Sequence, residues 1–194
     1  MLKDVIQEGG RVTDPGSKKL VAQWLQQCVV GLSLCPYARA PVAAGRVGLT
    51  ICPAATARAL VAFVIDEARA LLDSEEVETT LVIAPTGFED FLYFNDVSGD
   101  VEDALAEADL DQDFQLACFH PDYLFATEDA HDAAHFTNRA PFPIVQLLRV
   151  STVARAVDSG DTLLIPEHNI ERLRSLAPAE LRALFPWSAH WVEG

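Results

Sequence analysis

Hydrophobic and polar residues follow two different periods along the chain, and the order of these periods predicts strand–helix units. Apolar residues over 17–30 recur every three or four positions, which is the helical period. Over 47–51 they alternate one by one, as on a strand, and Thr56 then precedes a second helical stripe. A continuous apolar run over 80–84 predicts a second strand that is covered on both faces, and residues 114–119 are predicted to form a third strand.

Further helices are predicted between and after these strands. The spacing of Thr86 and Glu89 is that of a capping box and predicts a helical segment, which a break at 96–99 separates from a second segment. Three prolines stand where the first turn of a helix tolerates them. They predict C-terminal helices over 143–157, 166–176 and 178–185.

These elements favour an α/β (or α+β) fold, in which strand–helix units build a small parallel or mixed sheet of three or more strands and additional helices follow at the C-terminus. We expect residues 1–16 to form a flexible arm and residues 17–194 to form a single α/β domain. Ligands of such sheets bind beyond the carboxyl ends of the strands. Those ends fall at Cys52, at residues 85–87 and at His120.

Charge and composition narrow the classes of partner. The chain of 194 residues has a formal net charge of -15, which disfavours nucleic acid and anionic membrane surfaces. The sequence shows no signal-peptide pattern and no apolar run of transmembrane length, so a cytoplasmic location is expected. It also lacks a Gly-rich phosphate loop and a dinucleotide fingerprint, and it leaves the cofactor and the oligomeric state open.

The four cysteines show no C-x-x-C spacing, which predicts free thiols. The stretches GLSLCPYA and GLTICPAA echo each other, but Cys35 follows a helix and Cys52 ends a strand, so a shared metal or redox site is not favoured. Cys28 and Cys118 fit apolar stripes. Cys35 lies in a turn where an imidazole or arginine would lower its pKa and make it a nucleophile. The alternative is a turn cysteine packed under Tyr37.

Two histidine motifs are candidates for catalysis or metal binding. His120 ends the third strand and Asp122 follows it, which suits general acid–base catalysis or metal ligation, although a structural histidine is the alternative. His131 and His135 have the spacing of a zincin helix, with Asp in place of the usual Glu. No apolar stripe supports a helix there, so a chance occurrence is favoured.

Polar residues near the C-terminal half are candidates for binding. Arg139 offers a planar donor pair for a carboxylate or phosphate, and Arg149 follows it, although either could pair with surface carboxylates. Glu167, His168 and Asn169 stand at a predicted helix start, where capping explains them without function.

The motifs LCPYA, FHPDYLF, TNRAPFP, QLLR and IPEHN, in this order and spacing, closely resemble the bacterial domain-of-unknown-function family 1415. The resemblance spans nearly the whole chain after the N-terminal arm. It implies no established reaction, but it places seven residues at motif positions: Cys35, His120, Asp122, Asn138, Arg139, Arg149 and Asn169. Two departures are noted, since Ala140 stands where the resemblance leads us to expect Ser and Gln146 where it leads us to expect His.

The sequence leaves three functions open. The first is an enzyme for acyl or group transfer, or hydrolysis, that acts on a small anionic molecule. Cys35 would be its nucleophile or reactive thiol, His120 its general base or acid and Asp122 the orienting group. Substrate would be held by Asn138, Asn169 and an anion clamp of Arg139 and Arg149. The second is an iron or zinc protein that uses His120 and Asp122 as ligands. The third is a non-catalytic ligand-binding or regulatory module.

Overall fold

The fold is seen in a computed structural model that describes residues 15–158 and 165–192. Most of the predicted arm over 1–16 therefore lies outside the described residues. Within these ranges four strands form one mixed sheet: β1 (Val47–Ile51), β2 (Thr79–Ile83), β3 (Phe114–Phe119) and β4 (Ile144–Arg149). The predicted mixed sheet with additional C-terminal helices is confirmed, as an α+β fold.

The strand order β1-β2-β4-β3 places the last strand in the interior of the sheet. β1 and β2 pair in parallel, whereas β4 runs antiparallel to both β2 and β3. β1, β2 and β3 consequently point the same way, and their carboxyl ends meet at one edge, as the sequence predicted.

β4 corrects the prediction of a helix over 143–157. Only the second half of that range is helical, since α5 covers Val150–Asp158. The strand escaped the pattern analysis because it lies between two neighbours and has both faces covered. A short apolar run of this kind has the same appearance in a buried strand and in a buried helix.

The described helices surround the sheet. They are α1 (Pro15–Trp24), a π-helix (Leu25–Val30), α2 (Arg39–Ala43), α3 (Ala57–Leu72), α4 (Phe91–Glu107), α5, α6 (Ile165–Arg174), α7 (Pro178–Leu184) and 3₁₀ helices over Ala133–Thr137 and Pro186–Trp191. None of the helices in the described ranges is long and apolar enough to cross a membrane.

α4 differs from its prediction in two ways. It is continuous through 96–99, where Gly99 lies on the outside and a helix tolerates a single glycine at modest cost. Its N-cap is Asp90, whose side chain accepts a hydrogen bond from the Tyr93 amide at 2.8 Å, and not Thr86.

Two apolar clusters define the two faces of the sheet. The first face is covered by α3 and α4, and the second face by α1 and the π-helix together with parts of α6 and α7. Because side chains alternate along a strand, β4 contributes Val145 and Leu147 to the first face and Ile144 and Gln146 to the second.

Candidate functional site

A pocket of about 220 Å³ lies against the second face of the sheet, and Cys35 forms part of its wall. An apolar cavity of about 150 Å³ already accommodates benzene, so this pocket has room for a small ring with a substituent. The side chains that line it carry no formal charge. Its polar residues are Cys35, Thr137, Asn138 and Gln146, and its apolar wall includes Trp24, Leu25, Phe119 and Leu148.

A smaller cavity of about 60 Å³ adjoins this pocket, since both are lined by Leu25, Cys35 and Gln146. It extends towards Glu78 and Arg149 at the opposite end of β4. Cys35 and Gln146 are therefore the polar residues shared by both cavities.

The backbone before Cys35 has an unusual conformation that fixes the position of the thiol. The π-helix over Leu25–Val30 leads into Gly31, where a side chain would collide with the Gln27 carbonyl oxygen. Ser33 then adopts a left-handed conformation with φ of 58°. π-helices and strained residues of this kind are concentrated at functional sites.

Asn169 holds the same turn from the C-terminal region. Its side chain is buried, and its Nδ2 donates a hydrogen bond to the Leu34 carbonyl oxygen at 2.8 Å. Asn169 thus acts on the backbone next to Cys35 and does not itself line either cavity. The sequence singled out Asn169 as a binding residue, and the structure gives it a positioning contact.

The Cys35 thiol lies in surroundings that keep it protonated. Burial raises its pKa above the ordinary value for cysteine, and the backbone N–H groups of Tyr37 and Ala38, which donate to the sulfur, lower it by less. None of the residues that line the 220 Å³ pocket is a base. The nucleophile expected from the sequence is therefore accessible to a pocket but not activated.

His120 does not meet Cys35. Its ring packs on Phe91 and Phe94 on the first face, whereas Cys35 packs into the cluster of the second face. The Asp122 backbone N–H donates to Nδ1 at 3.0 Å, so Nε2 carries the proton and donates to the Phe88 carbonyl oxygen at 2.9 Å. The predicted pairing of Cys35 with His120 is corrected accordingly.

These contacts make His120 a neutral, structural histidine. The side chain is only 1% exposed, and burial lowers its pKa below the ordinary value for histidine. It joins the loop after β2 to the turn after β3. This geometry fits the alternative of a structural histidine. Neither ring nitrogen is left to act as a base or to bind a metal.

Asp122 orients His120 through its backbone and uses its carboxylate elsewhere. Oδ1 accepts hydrogen bonds from Trp191 Nε1 at 2.7 Å and lies 2.8 Å from His190 Nε2. These contacts anchor the 3₁₀ helix over Pro186–Trp191 to the turn after β3. The carboxylate is therefore not the orienting partner of the imidazole that the sequence suggested.

The two arginines of the expected anion clamp lie at opposite ends of β4. Arg149 donates to the carbonyl oxygens of Leu71, Ser74 and Val77, where it caps the end of α3. Its guanidinium is thus engaged with backbone, and the structure does not bring it to Arg139.

Arg139 is fully buried, with its guanidinium 4.4 Å from the ring centre of Phe136 and 4.9 Å from that of Trp191. Nε donates to the Tyr123 carbonyl oxygen at 3.3 Å, while both Nη atoms have no hydrogen-bond partner among the described residues. Burial lowers its pKa to about 10. Arg139 is not part of the pocket lining, so it offers no positive charge to a ligand held beside Cys35.

The alternative metal sites gain no support from the described ranges. No group of three or more His, Cys, Asp or Glu side chains there could hold a metal ion. His135 accepts from the Phe125 amide at Nδ1 and donates from Nε2 to the Asp129 carbonyl oxygen, while His131 contacts Trp191. His131 therefore lies in a turn and His135 in a short 3₁₀ helix, and the two do not share the face of an α-helix as in a zincin.

Two pocket residues were missed as members of a site. Thr137 lines the pocket, and its hydroxyl oxygen is buried without a described partner. Gln146 was noted only as a departure from the expected histidine, yet it lies in the same pocket as Cys35. Only the assignment of residues 144–149 as a strand would have revealed Gln146, because alternation then places it on the opposite face from Val145 and Leu147.

The fold and the site define a single-sheet α+β protein with a thiol-bearing pocket between the sheet and its N-terminal helices. The chain belongs to the family described as Protein of unknown function (DUF1415), which matches residues 17–183. No curated protein and no solved structure is significantly similar to it.

Proposed function

We propose that the protein binds a small molecule with a mainly apolar body in the pocket beside Cys35. The observation that carries this proposal is the pocket of about 220 Å³, whose apolar wall is interrupted by a few converging polar groups. Such a combination is typical of small-molecule sites.

Binding is favoured over catalysis because none of the residues that line the 220 Å³ pocket can take a proton from the thiol. The pKa of Cys35 is raised by burial, and the amide of Gln146 cannot take a proton from it. In this proposal Cys35 contacts the ligand as a protonated thiol. The proposal corresponds to the ligand-binding module among the three functions that the sequence leaves open.

A second candidate, thiol-dependent transfer or hydrolysis, is favoured by one observation. The backbone amides of Tyr37 and Ala38 lower the pKa of Cys35, and such donors stabilise a thiolate or a neighbouring oxyanion. In this reaction the sulfur attacks an acyl carbon and its proton passes to the leaving group. Water then hydrolyses the thioester, which releases the acid and restores the thiol.

The test of binding is protection of Cys35 from iodoacetamide by benzyl alcohol, a probe that matches the size of the pocket. Mass spectrometry of fragment ions follows Cys35 separately from Cys28. We expect concentration-dependent slowing of the Cys35 reaction. Ala117→Leu places a larger side chain in the pocket lining and should abolish the protection. Equal protection in this variant would contradict binding in the pocket.

The two candidates are separated by turnover of p-nitrophenyl acetate. Binding alone predicts no release of nitrophenol beyond that of Cys35→Ser. Turnover that disappears in Cys35→Ser would favour the enzyme. Gln146→His provides a further test, because it places an imidazole in the cavities that Cys35 lines. This base should accelerate alkylation of the Cys35 thiol near neutral pH.

A further inference from the structure

We infer that the Cys35 pocket takes an uncharged ligand whose polar end carries N–H or O–H donors, such as a primary carboxamide or an alcohol. This inference rests on the proposed function and specifies the class of ligand. It replaces the anionic molecule expected from the sequence. The hydrogen-bond directions of two side-chain amides carry the argument.

The orientation of the Gln146 amide follows from the single proton of a hydroxyl group. Thr79 Oγ1 donates that proton to the Leu147 carbonyl oxygen at 2.7 Å. Its oxygen can therefore only accept from Gln146, which fixes Nε2 as the atom 2.9 Å away. The Gln146 carbonyl oxygen is left without a partner among the described residues.

A similar argument fixes the orientation of the Asn138 side-chain amide. The atom that faces the Cys118 carbonyl oxygen at 2.9 Å must be a donor, because a backbone carbonyl can only accept. This atom is Nδ2, and the side-chain oxygen of Asn138 has no described partner. Each of the two amides that line the pocket thus uses one N–H of its NH2 group within the protein, and its carbonyl oxygen has no partner among the described residues.

The electrostatic surroundings agree with this polarity. A ligand carboxylate would face two carbonyl oxygens in a pocket whose lining has no cationic side chain. Arg139 directly follows Asn138 in the sequence, but its guanidinium packs on the rings of Phe136 and Trp191. A buried anion without a counter-charge regains little of the hydration that it loses. A carboxamide or alcohol loses less and can donate its protons to the two oxygens.

The test compares two alkylating reagents of nearly equal size, iodoacetamide and iodoacetate. The ratio of their rates at Cys35 is measured in the full chain and divided by the ratio at an exposed reference cysteine. Asn95→Cys in a Cys35→Ser background supplies that reference, because Asn95 is exposed and experiences the same net charge. We expect the ratio at Cys35 to favour iodoacetamide about tenfold more than the reference does, as one or two hydrogen bonds would give.

Matched variants assign the preference to the amides. Gln146→Met removes one open carbonyl oxygen and should bring the ratio at Cys35 towards the reference. Gln115→Met makes the same exchange on an exposed position of β3 and should leave the ratio unchanged. A ratio at or below the reference in the wild type, or a ratio insensitive to Gln146→Met, would overturn the inference.

A reversible measurement covers the case of slow alkylation. Benzamide and benzoate are compared at equal concentration for the rise in Tm that they cause. A larger rise with benzamide supports the inference, and an equal or larger rise with benzoate overturns it while the proposed pocket stands. If neither compound raises Tm and benzyl alcohol gives no protection, the proposed function itself fails.

Discussion

The turn that carries His120 and the turn that carries Cys35 both hold motif residues beside the sheet, but they satisfy their polar groups differently. Both ring nitrogens of His120 are bonded to backbone at 2.9 and 3.0 Å. Beside Cys35, the amides of Asn138 and Gln146 each use one N–H within the protein, and their side-chain oxygens have no described partner. A complete set of internal hydrogen bonds indicates a structural role, whereas open polar atoms around a cavity indicate a binding site.

The largest effect that this comparison predicts is loss of stability in His120→Ala. The change removes a buried ring and leaves the Phe88 carbonyl oxygen and the Asp122 amide without their partner. The free energy of unfolding should fall by about 3–4 kcal/mol, measured by urea denaturation. The control His190→Ala alters an exposed pair with Asp122 and should cost less than about 1 kcal/mol. Equal costs for the two variants would contradict the structural role of His120.

Asn169→Ala should have a smaller effect on stability but a local effect on Cys35. It removes the hydrogen bond to the Leu34 carbonyl oxygen, and we expect a loss of about 1–2 kcal/mol. Because that carbonyl lies next to Cys35, alkylation of the thiol should accelerate severalfold. Asn95→Ala, at an exposed position of α4, is the matched control and should change neither quantity. Unchanged alkylation in Asn169→Ala would separate Asn169 from the pocket.

The lowered pKa of His120 predicts a pH dependence of stability. Below its ordinary pKa of about 6.5 the imidazole takes up a proton more readily in the unfolded chain than in the fold. Its contribution is therefore complete above that value and is lost as the pH falls towards the folded-state pKa. The advantage of the wild type over His120→Gln in unfolding free energy should shrink by about 1 kcal/mol between pH 7.5 and 5.5. A difference that is constant or grows on acidification would contradict the neutral, bonded imidazole.

The smallest effect on stability is expected for Cys35→Ala. The thiol is half-buried beside a cavity, so its loss should cost less than about 1 kcal/mol. Cys28 is fully buried in the cluster of the second face, and Cys28→Ala should cost more. Thermal unfolding of both variants makes the comparison. A greater cost at Cys35 would indicate that this cysteine supports the core and not the pocket.

The first three strands were predictable because runs of apolar residues mark them, and the last two predicted helices because a proline stands in the first turn of each. β4 was not, since a run of six residues between two neighbouring strands has no polar face to mark its period. The pocket depended on that strand. Only when residues 144–149 are extended does alternation turn Gln146 towards the second face, where Cys35 also lies.

The predicted pairing of Cys35 with His120 failed for a related reason. The sequence places both residues beside the sheet, but it does not say on which face each will lie. His120 follows Phe119, which packs on the second face, so alternation directs His120 to the first. Cys35 comes from the helical layer on the second face. Arg139 and Arg149 were separated in the same way, by the length of a strand that the pattern did not reveal.

The position of β4 also sets an order in time for folding. β2 and β3 do not pair with each other, because each pairs with β4 instead. The sheet therefore cannot close until residues 144–149 reach it from far along the chain, and such distant pairings form slowly. During synthesis the edges of β2 and β3 stay unpaired until β4 has been made. Unpaired strand edges can misassemble during this period. Because Gln146 belongs to β4, the pocket comes into existence only with this late step.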